Sequence, residues 1–264
     1  MKVLYIGDIV AKIGRRAVAQ VLPKLIEEKQ IDFVIAQAEN MSTGNGITAK
    51  AIKEVEDAGV DFFTGGNHSF KKPEGVEMMN RPNSNIIRPA NYPGRTPGRG
   101  WQIAKTPFGN ILVINVLGQT FNGPQLDHPL KVIDAILEDN KDEKLVATIV
   151  DFHADLSSEK VAIGFYLDGR VSAVVGSHTH VATADANVLP GGTARISDVG
   201  MTGPVDSVLG VKKEIIIEKW LNQLPNKFDW PKVGIVQFSS VLIDIGPDSK
   251  ARSIEQILIN TEVS

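Results

Sequence analysis

Apolar residues fall into short β-branched runs at residues 3–6, 33–38, 62–64, 111–116, 145–150 and 173–175, with two more near 233–245 and 254–259. Runs of that length, bounded by Gly, Asn and Asp, predict strands, most of them buried. Between them the apolar positions take helical spacing. Ala17, Val18, Val21, Leu22, Leu25 and Ile26 form one such stretch, and Ile215, Ile216, Trp220 and Leu221 another. Pro23 interrupts the first stretch, and its missing N–H predicts a kink or a restart. Residues 49–58, closed by Gly59, and residues 129–140 predict cleaner helices. Alternation of strand and helix through the first half predicts α/β layers with strands buried on both faces, while the last third reads as strand-rich and antiparallel. With no repeat, low-complexity tract or linker, one domain over residues 1–264 is expected.

Composition narrows the chemistry. The 264 residues are 42% hydrophobic and 22% charged, which is enough to bury a core without a metal or disulfide. There is no cysteine, which removes disulfides, thiolate zinc sites, iron–sulfur clusters and cysteine nucleophiles together. Any metal must therefore sit on His, Asp, Glu or Asn. The first apolar run is too short for a signal peptide and is broken by Asp8, and no window approaches a membrane span. A cytoplasmic chain that does not engage a membrane is expected. Its 28 basic and 31 acidic residues give a charge of −3 without a polybasic block, so duplex nucleic acid is not an expected partner. An anionic substrate would have to be attracted by local groups.

In α/β sheets ligands gather beyond the carboxyl ends of the strands, and here polar residues collect at those ends. The first run leads into Gly7-Asp8, the second into Glu39-Asn40, the third into Gly65-Gly66-Asn67-His68, the fifth into Asp151-Phe152-His153, and the sixth into Gly176-Ser177-His178-Thr179-His180. Singly, each has an ordinary reading: Asp8 as a turn or cap, Asn67-His68 as a loop bonding its own backbone, His178 and His180 as a surface pair. If the strand continued, those two would project to one side. Jointly, four of the five histidines placed with Asp8, Glu39, Asn40 and Asn67 favour a metal site. His128, before Pro129 at a helix start, is read as structural or surface. Two carboxylates, two carboxamides and four imidazoles exceed what one tetrahedral zinc needs. Two adjacent cations would use them. Mixed O and N donors without thiolate suit iron or manganese first, with zinc or magnesium as alternatives. A pair about 3.5–4 Å apart clamps the attacking and leaving oxygens of a phosphoryl displacement.

These segments resemble the calcineurin-like metallophosphoesterases. Gly7-Asp8-Ile9-Val10, Ala38-Glu39-Asn40, Arg88-Pro89-Ala90-Asn91, Asp151-Phe152-His153-Ala154 and the 198–204 segment D-V-G-M-T-G-P are similar, more narrowly, to the bacterial YmdB-like branch. The likeness runs from the first strand past Gly210. It implies a layered sandwich of two mixed β-sheets flanked by helices. It implies one metal on Asp8, Glu39, Asn40 and His180, and a second on Glu39, Asn67, His153 and His178, with Glu39 bridging. The broader superfamily carries a histidine two residues after the first aspartate and a bridging aspartate. Val10 and Glu39 stand at those places, a departure the YmdB-like branch shares, and its pattern implies that Asn40 fills the gap. His68 is not implied as a ligand; an unperturbed imidazole titrates near neutrality, so it is the expected catalytic residue. It would protonate the leaving alkoxide or steady charge while a metal-bridging hydroxide attacks phosphorus. The resemblance implies a phosphodiesterase, with 2′,3′-cyclic nucleotides as leading substrate and 3′,5′-cyclic nucleotides or other diesters behind them.

Other features have plainer expectations. Gly44 and Gly46 lie in a 42–48 segment that is a turn and helix start first and a phosphate cradle second. Arg95 and Arg99 lie on a Pro-Gly-rich surface turn, with a substrate-side or subunit-contact role as second reading. Asp155 and Asp185, or backbone carbonyls, are candidates to orient ligand imidazoles. A phosphomonoesterase or protein phosphatase, and a metal-stabilised regulatory scaffold, are the competing functions. A homo-oligomer is compatible with the sequence.

Overall fold

The computed structural model describes residues 1–120 and 125–264. Its chain order is β1 (Lys2–Ile6), β2 (Asp8–Ile9), α1 (Ala11–Lys29), β3 (Phe33–Gln37), α2 (Ala49–Glu56), β4 (Phe62–Thr64) and α3 (Pro73–Met79). There follow β5 (Trp101–Thr106), β6 (Gly109–Leu117), α4 (Pro129–Asp139), β7 (Leu145–His153), α5 (Ser157–Tyr166) and β8 (Ala173–Ser177). The last third holds β9 (Asn187–Val188), β10 (Ala194–Ile196), β11 (Met201–Pro204), α6 (Lys213–Asn222), β12 (Gly234–Ile245) and β13 (Ala251–Val263).

Two mixed sheets result. One runs β2-β11-β12-β1-β3-β4 with β13 also paired to β12; the other runs β5-β6-β7-β8-β10-β9. Strands β1, β3 and β4 are parallel to one another, as are β6, β7 and β8. Alternation along β1 explains the layering: Val3 and Tyr5 pack between the sheets with Ile35, Val113, Ile149 and Val175, while Leu4 and Ile6 pack outward with Val18 and Leu22 of α1. On the opposite side Leu112, Ile114 and Val150 meet Ile133 of α4 and Ile163 of α5. The protein is thus an α/β sandwich of helix, sheet, sheet and helix layers, as expected.

Helix α1 runs unbroken through Pro23 instead of restarting there. Pro23 and Ala19 are both exposed, so the carbonyl deprived of its usual N–H faces solvent and water can satisfy it. Strand β13 extends four residues past the expected run, pairing Val263 with Gly234. Of those four residues Asn260, Thr261 and Glu262 are polar, and Asn260 and Glu262 are exposed, which hides an edge strand from an apolar-run criterion. Strand β5 escapes the same criterion because four of its six residues are only partly buried.

Candidate metal centre

The carboxyl ends of β1, β3, β4, β7 and β8 converge, and Asp8, Glu39, Asn40, Asn67, His68, His153, His178 and His180 all lie at or just beyond them. Glu39 is buried and reaches the second sheet: its Oε1 lies 3.2 Å from His153 Nε2. The same oxygen is 3.4 Å from Asn40 Nδ2, and Oε2 accepts the His68 N–H at 2.6 Å. On one side His153 Nε2 also faces Asn67 Oδ1 at 3.0 Å and His178 Nδ1 at 3.1 Å. Ligand atoms of Glu39, His153 and His178 all fall within 4.8 Å of one another. On the other side Asn40 Nδ2 lies 3.2 Å from His180 Nε2 and 3.4 Å from Asp8 Oδ1, and those two atoms are 3.7 Å apart.

This donor set fits a cation. His153 Nε2 can carry one proton, yet an oxygen, a second imidazole nitrogen and a carboxylate oxygen all face it within 3.2 Å. A single N–H cannot serve three acceptors. Ligand atoms about 2.0–2.2 Å from a metal stand about 3 Å apart at right angles, so a cation among these four groups resolves the conflict. The Asn40 amide presents Nδ2 to three acceptors, and a half-turn would present the oxygen that a cation requires. Charge points the same way. Burial pushes His153 down, but Glu39, Asp8 and Asp151 push it up to about 9. Burial pushes Glu39 up, but the charge and hydrogen bond of His153, with His68, hold it at about 2. The acids that surround His153 thus favour positive charge at this point.

His153, His178 and His180 are each aimed by their second nitrogen. His153 Nδ1 lies 2.8 Å from Ser177 Oγ, which donates to Asp151 Oδ1 at 2.7 Å, and 3.2 Å from Gln37 Nε2. His178 Nε2 lies 2.9 Å from Asp155 Oδ1, and His180 Nδ1 lies 3.0 Å from the Leu209 carbonyl. Asp155 and a carbonyl thus take the orienting role, whereas Asp185 bonds Thr183, Ser197 and Arg195 and touches no histidine. His178 and His180 do not share a strand face either. Strand β8 ends at Ser177, and both residues have left-handed backbones, φ 100° and 64°. Their loop is held from beneath by a buried pair that sequence reading passes over. Lys160 Nζ donates to Ser177 O at 2.8 Å and to Asp198 Oδ2 at 2.5 Å. Asp198 in turn accepts the Thr179 N–H and hydroxyl at 2.9 and 2.8 Å, and the Gly200 N–H at 2.8 Å. Gln37, also unforeseen, leaves one signal in the sequence: an amide ending an otherwise apolar strand.

Gly66 shows how tightly the centre is built. A Cβ there would lie 2.3 Å from Glu39 Oε2 and 2.5 Å from His153 Nε2. Gly66→Ala is expected to displace both and lower turnover by about 100-fold, because a shift near 1 Å in a catalytic geometry costs that much. Far-ultraviolet circular dichroism should stay native while the rate falls; an unchanged rate would show the two groups are free to move. Among the described residues His68 Nδ1 is buried without a hydrogen-bond partner, and burial lowers its pKa against the pull of Glu39. Outside the centre, His128 is exposed at the start of α4. Arg99 ties its loop to the Pro82 carbonyl, and the 42–46 segment is a backbone turn closed by Ser42 N–H to Gly46 O at 3.1 Å.

A two-sheet sandwich with such a cluster where the strands end defines a protein of the metallophosphoesterase kind. The chain belongs to the YmdB-like protein family, whose model matches residues 4–257. It is 43% identical over 263 residues to the 2′,3′-cyclic-nucleotide 2′-phosphodiesterase of Bacillus subtilis (strain 168), covering 99% of this chain and 98% of that one. A crystal structure of a novel phosphatase from Mycoplasma pneumoniae superposes with a TM-score of 0.91 at 31% identity, covering 99% of this chain and 94% of that one. A hypothetical protein from Thermus thermophilus matches equally, TM-score 0.91 at 36% identity, over 98% and 99% of the two chains. Among the described residues no helix is long and apolar enough to cross a membrane.

Proposed function

We propose that the chain is a two-metal phosphodiesterase that opens 2′,3′-cyclic nucleotides, working as one domain in the cytoplasm. One observation carries the two-metal reading: Glu39 Oε1 lies between two donor groups, 3.2 Å from His153 Nε2 and 3.4 Å from the Asn40 amide. Asp8, Glu39, Asn40 and His180 would hold one cation, and Glu39, Asn67, His153 and His178 the other. Iron or manganese suits these donors best. When bound, the pair supplies Lewis-acid activation of water and neutralises charge on the phosphoryl oxygens. The substrate preference is supported by the name of the Bacillus subtilis relative.

The chain's own residues account for the rest. Buried Glu39 and Asp8 accept the His68 and His178 backbone N–H groups, at 2.6 and 3.0 Å, which fixes the loops carrying Asn67, His178, His180 and His68 itself. His68 follows Asn67 directly, and its depressed pKa keeps the ring neutral at physiological pH with one N–H to give. Its role is to hydrogen-bond the negative charge that develops on the departing ribose oxygen, which a neutral ring can do without giving up its proton. His68→Ala should lower turnover by about 10²–10³-fold, the range for removing a transition-state donor, with metal content kept. Loss of metal in that variant would make His68 structural. Metal analysis and diesterase assay on one wild-type preparation test the whole reading. Two equivalents with activity on 2′,3′-cyclic nucleotides and bis-aryl phosphate support it. Faster hydrolysis of mono-aryl phosphate would favour a monoesterase, and fully metallated but inert protein a scaffold.

A further inference from the structure

Next to the centre lies a cavity with different chemistry. It has a volume of about 440 Å³ and opens between the start of α1, the loop after Asn40 and the segment leading into β12. Lys12, Arg16, Ser42, Thr43, Trp230 and Lys232 line it. It adjoins Asn40, one of the proposed metal ligands, through the backbone. Ala11, also in its wall, donates its N–H to Asn40 O at 2.9 Å. Ser42 follows Asn40 by two residues, so their Cα atoms are at most about 7 Å apart.

The cavity combines an aromatic wall with cations. Trp230 is seated on Gly44, whose φ is +78°; a Cβ there would lie 1.8 Å from the indole. The glycine that looks like half of a phosphate cradle is thus the seat of an aromatic ring that also lines the cavity. Of the described lining residues Asp229 is the one carboxylate, and Lys212 Nζ engages it. Lys12, Arg16 and Lys232 line the same space, Arg16 also donating to the Ser264 carbonyl at 2.9 Å. In a chain of net charge −3 this is a local excess of cations. Indole faces stack on bases, and Lys and Arg neutralise phosphates; together they make the sequence-tolerant recognition used for single strands. Stacking requires an unpaired base, which fits the absence of a duplex-tracking block.

We propose that this cavity is a nucleotide subsite that takes the residue flanking the reacting phosphodiester. The protein would then process short single-stranded oligonucleotides ending in a 2′,3′-cyclic phosphate, in preference to free cyclic mononucleotides. This rests on the phosphodiesterase reading above. The test compares KM for a cyclic mononucleotide with KM for a trinucleotide bearing the same cyclic end. Trp230→Ala should raise the trinucleotide-to-mononucleotide KM ratio at least 5-fold and up to about 150-fold, the range for losing one base stack. The charge-reversed double variant Lys12→Glu with Lys232→Glu should raise the ratio too and flatten its salt dependence. A second readout needs no turnover: a trinucleotide ending in a 3′-hydroxyl should quench wild-type tryptophan fluorescence, and Trp230→Ala should lose that quench while keeping Trp101 and Trp220. Unchanged ratios and quench overturn the subsite. If Trp230→Ala misfolds, the lysine variant decides, and an unchanged ratio there overturns it. If the wild type hydrolyses no nucleotide yet shows the Trp230-dependent quench, the chemical reading fails and the subsite stands.

Discussion

Replacing Glu39 by Gln is expected to take the bound metal from the proposed two equivalents to one or fewer and to cut diesterase turnover by about 10³-fold, because metal stabilisation of phosphoryl charge is worth several kcal/mol. The substitution keeps the volume and the fully buried location of the side chain, so the fold should survive. What it removes is charge. Glu39 is a carboxylate at any working pH, held at about 2 by His153 and His68 against burial. Its Oε1 is the atom nearest to both donor groups, and a neutral amide oxygen there is a much poorer bridge between two cations. The amide would also place hydrogens against groups that are themselves donors: His68 N–H sits 2.6 Å from Oε2. Elemental analysis and single-turnover kinetics on the same preparation read both effects. A Glu39→Gln variant with two metals and normal turnover would remove Glu39 from the centre and the bridging idea with it.

The second large effect is expected at Lys160, which touches no proposed ligand side chain. Lys160→Met keeps length and burial but leaves Asp198 as an unpaired charge with 1% exposure. Breaking a buried pair from one side costs about 3–5 kcal/mol, read as a lower midpoint in denaturant. The loop of His178 and His180 hangs on Asp198 through Thr179, so metal affinity should also fall, by the roughly 10–100-fold typical of losing a partner one shell removed from the metal. Pairing Lys160→Met with Asp198→Asn separates the two effects. The neutral double variant should regain part of the stability, since no charge is stranded. It should not regain the affinity, because an amide cannot hold Lys160's former place beneath Ser177 and accept from Thr179 and Gly200 together. Metal affinity equal to wild type in the single variant would make the pair a fold element alone.

Much of this is legible in the residue string because strand ends concentrate polarity. Buried runs have to stop before Asp8, Glu39 and Gly65, and the residues after each stop are those that converge. His153 is equally visible, as the last residue of an apolar strand. Direction is less so. His178 and His180 look like partners on a strand face, yet their positive φ angles turn each ring to a different donor group, and backbone handedness leaves little trace in non-glycine residues. Lys160 is invisible for another reason. A lysine one turn into a helix reads as solvated, and only the position of α5 against β8 puts its ammonium beneath Ser177. Trp230 and Gly44 are 186 positions apart in the chain, and no local pattern links them.

The donor groups come from both sheets: Asp8, Glu39 and Asn67 follow strands of the first, His153 and His178 strands of the second. A cation bound among them is therefore a rivet through the sandwich, absent from the unfolded chain. Its occupancy and the folding equilibrium rise and fall together, by about 2.7 kcal/mol at a hundred times its dissociation constant. Inside a cell, the supply of that metal would then govern how long the protein lasts as well as how fast it works.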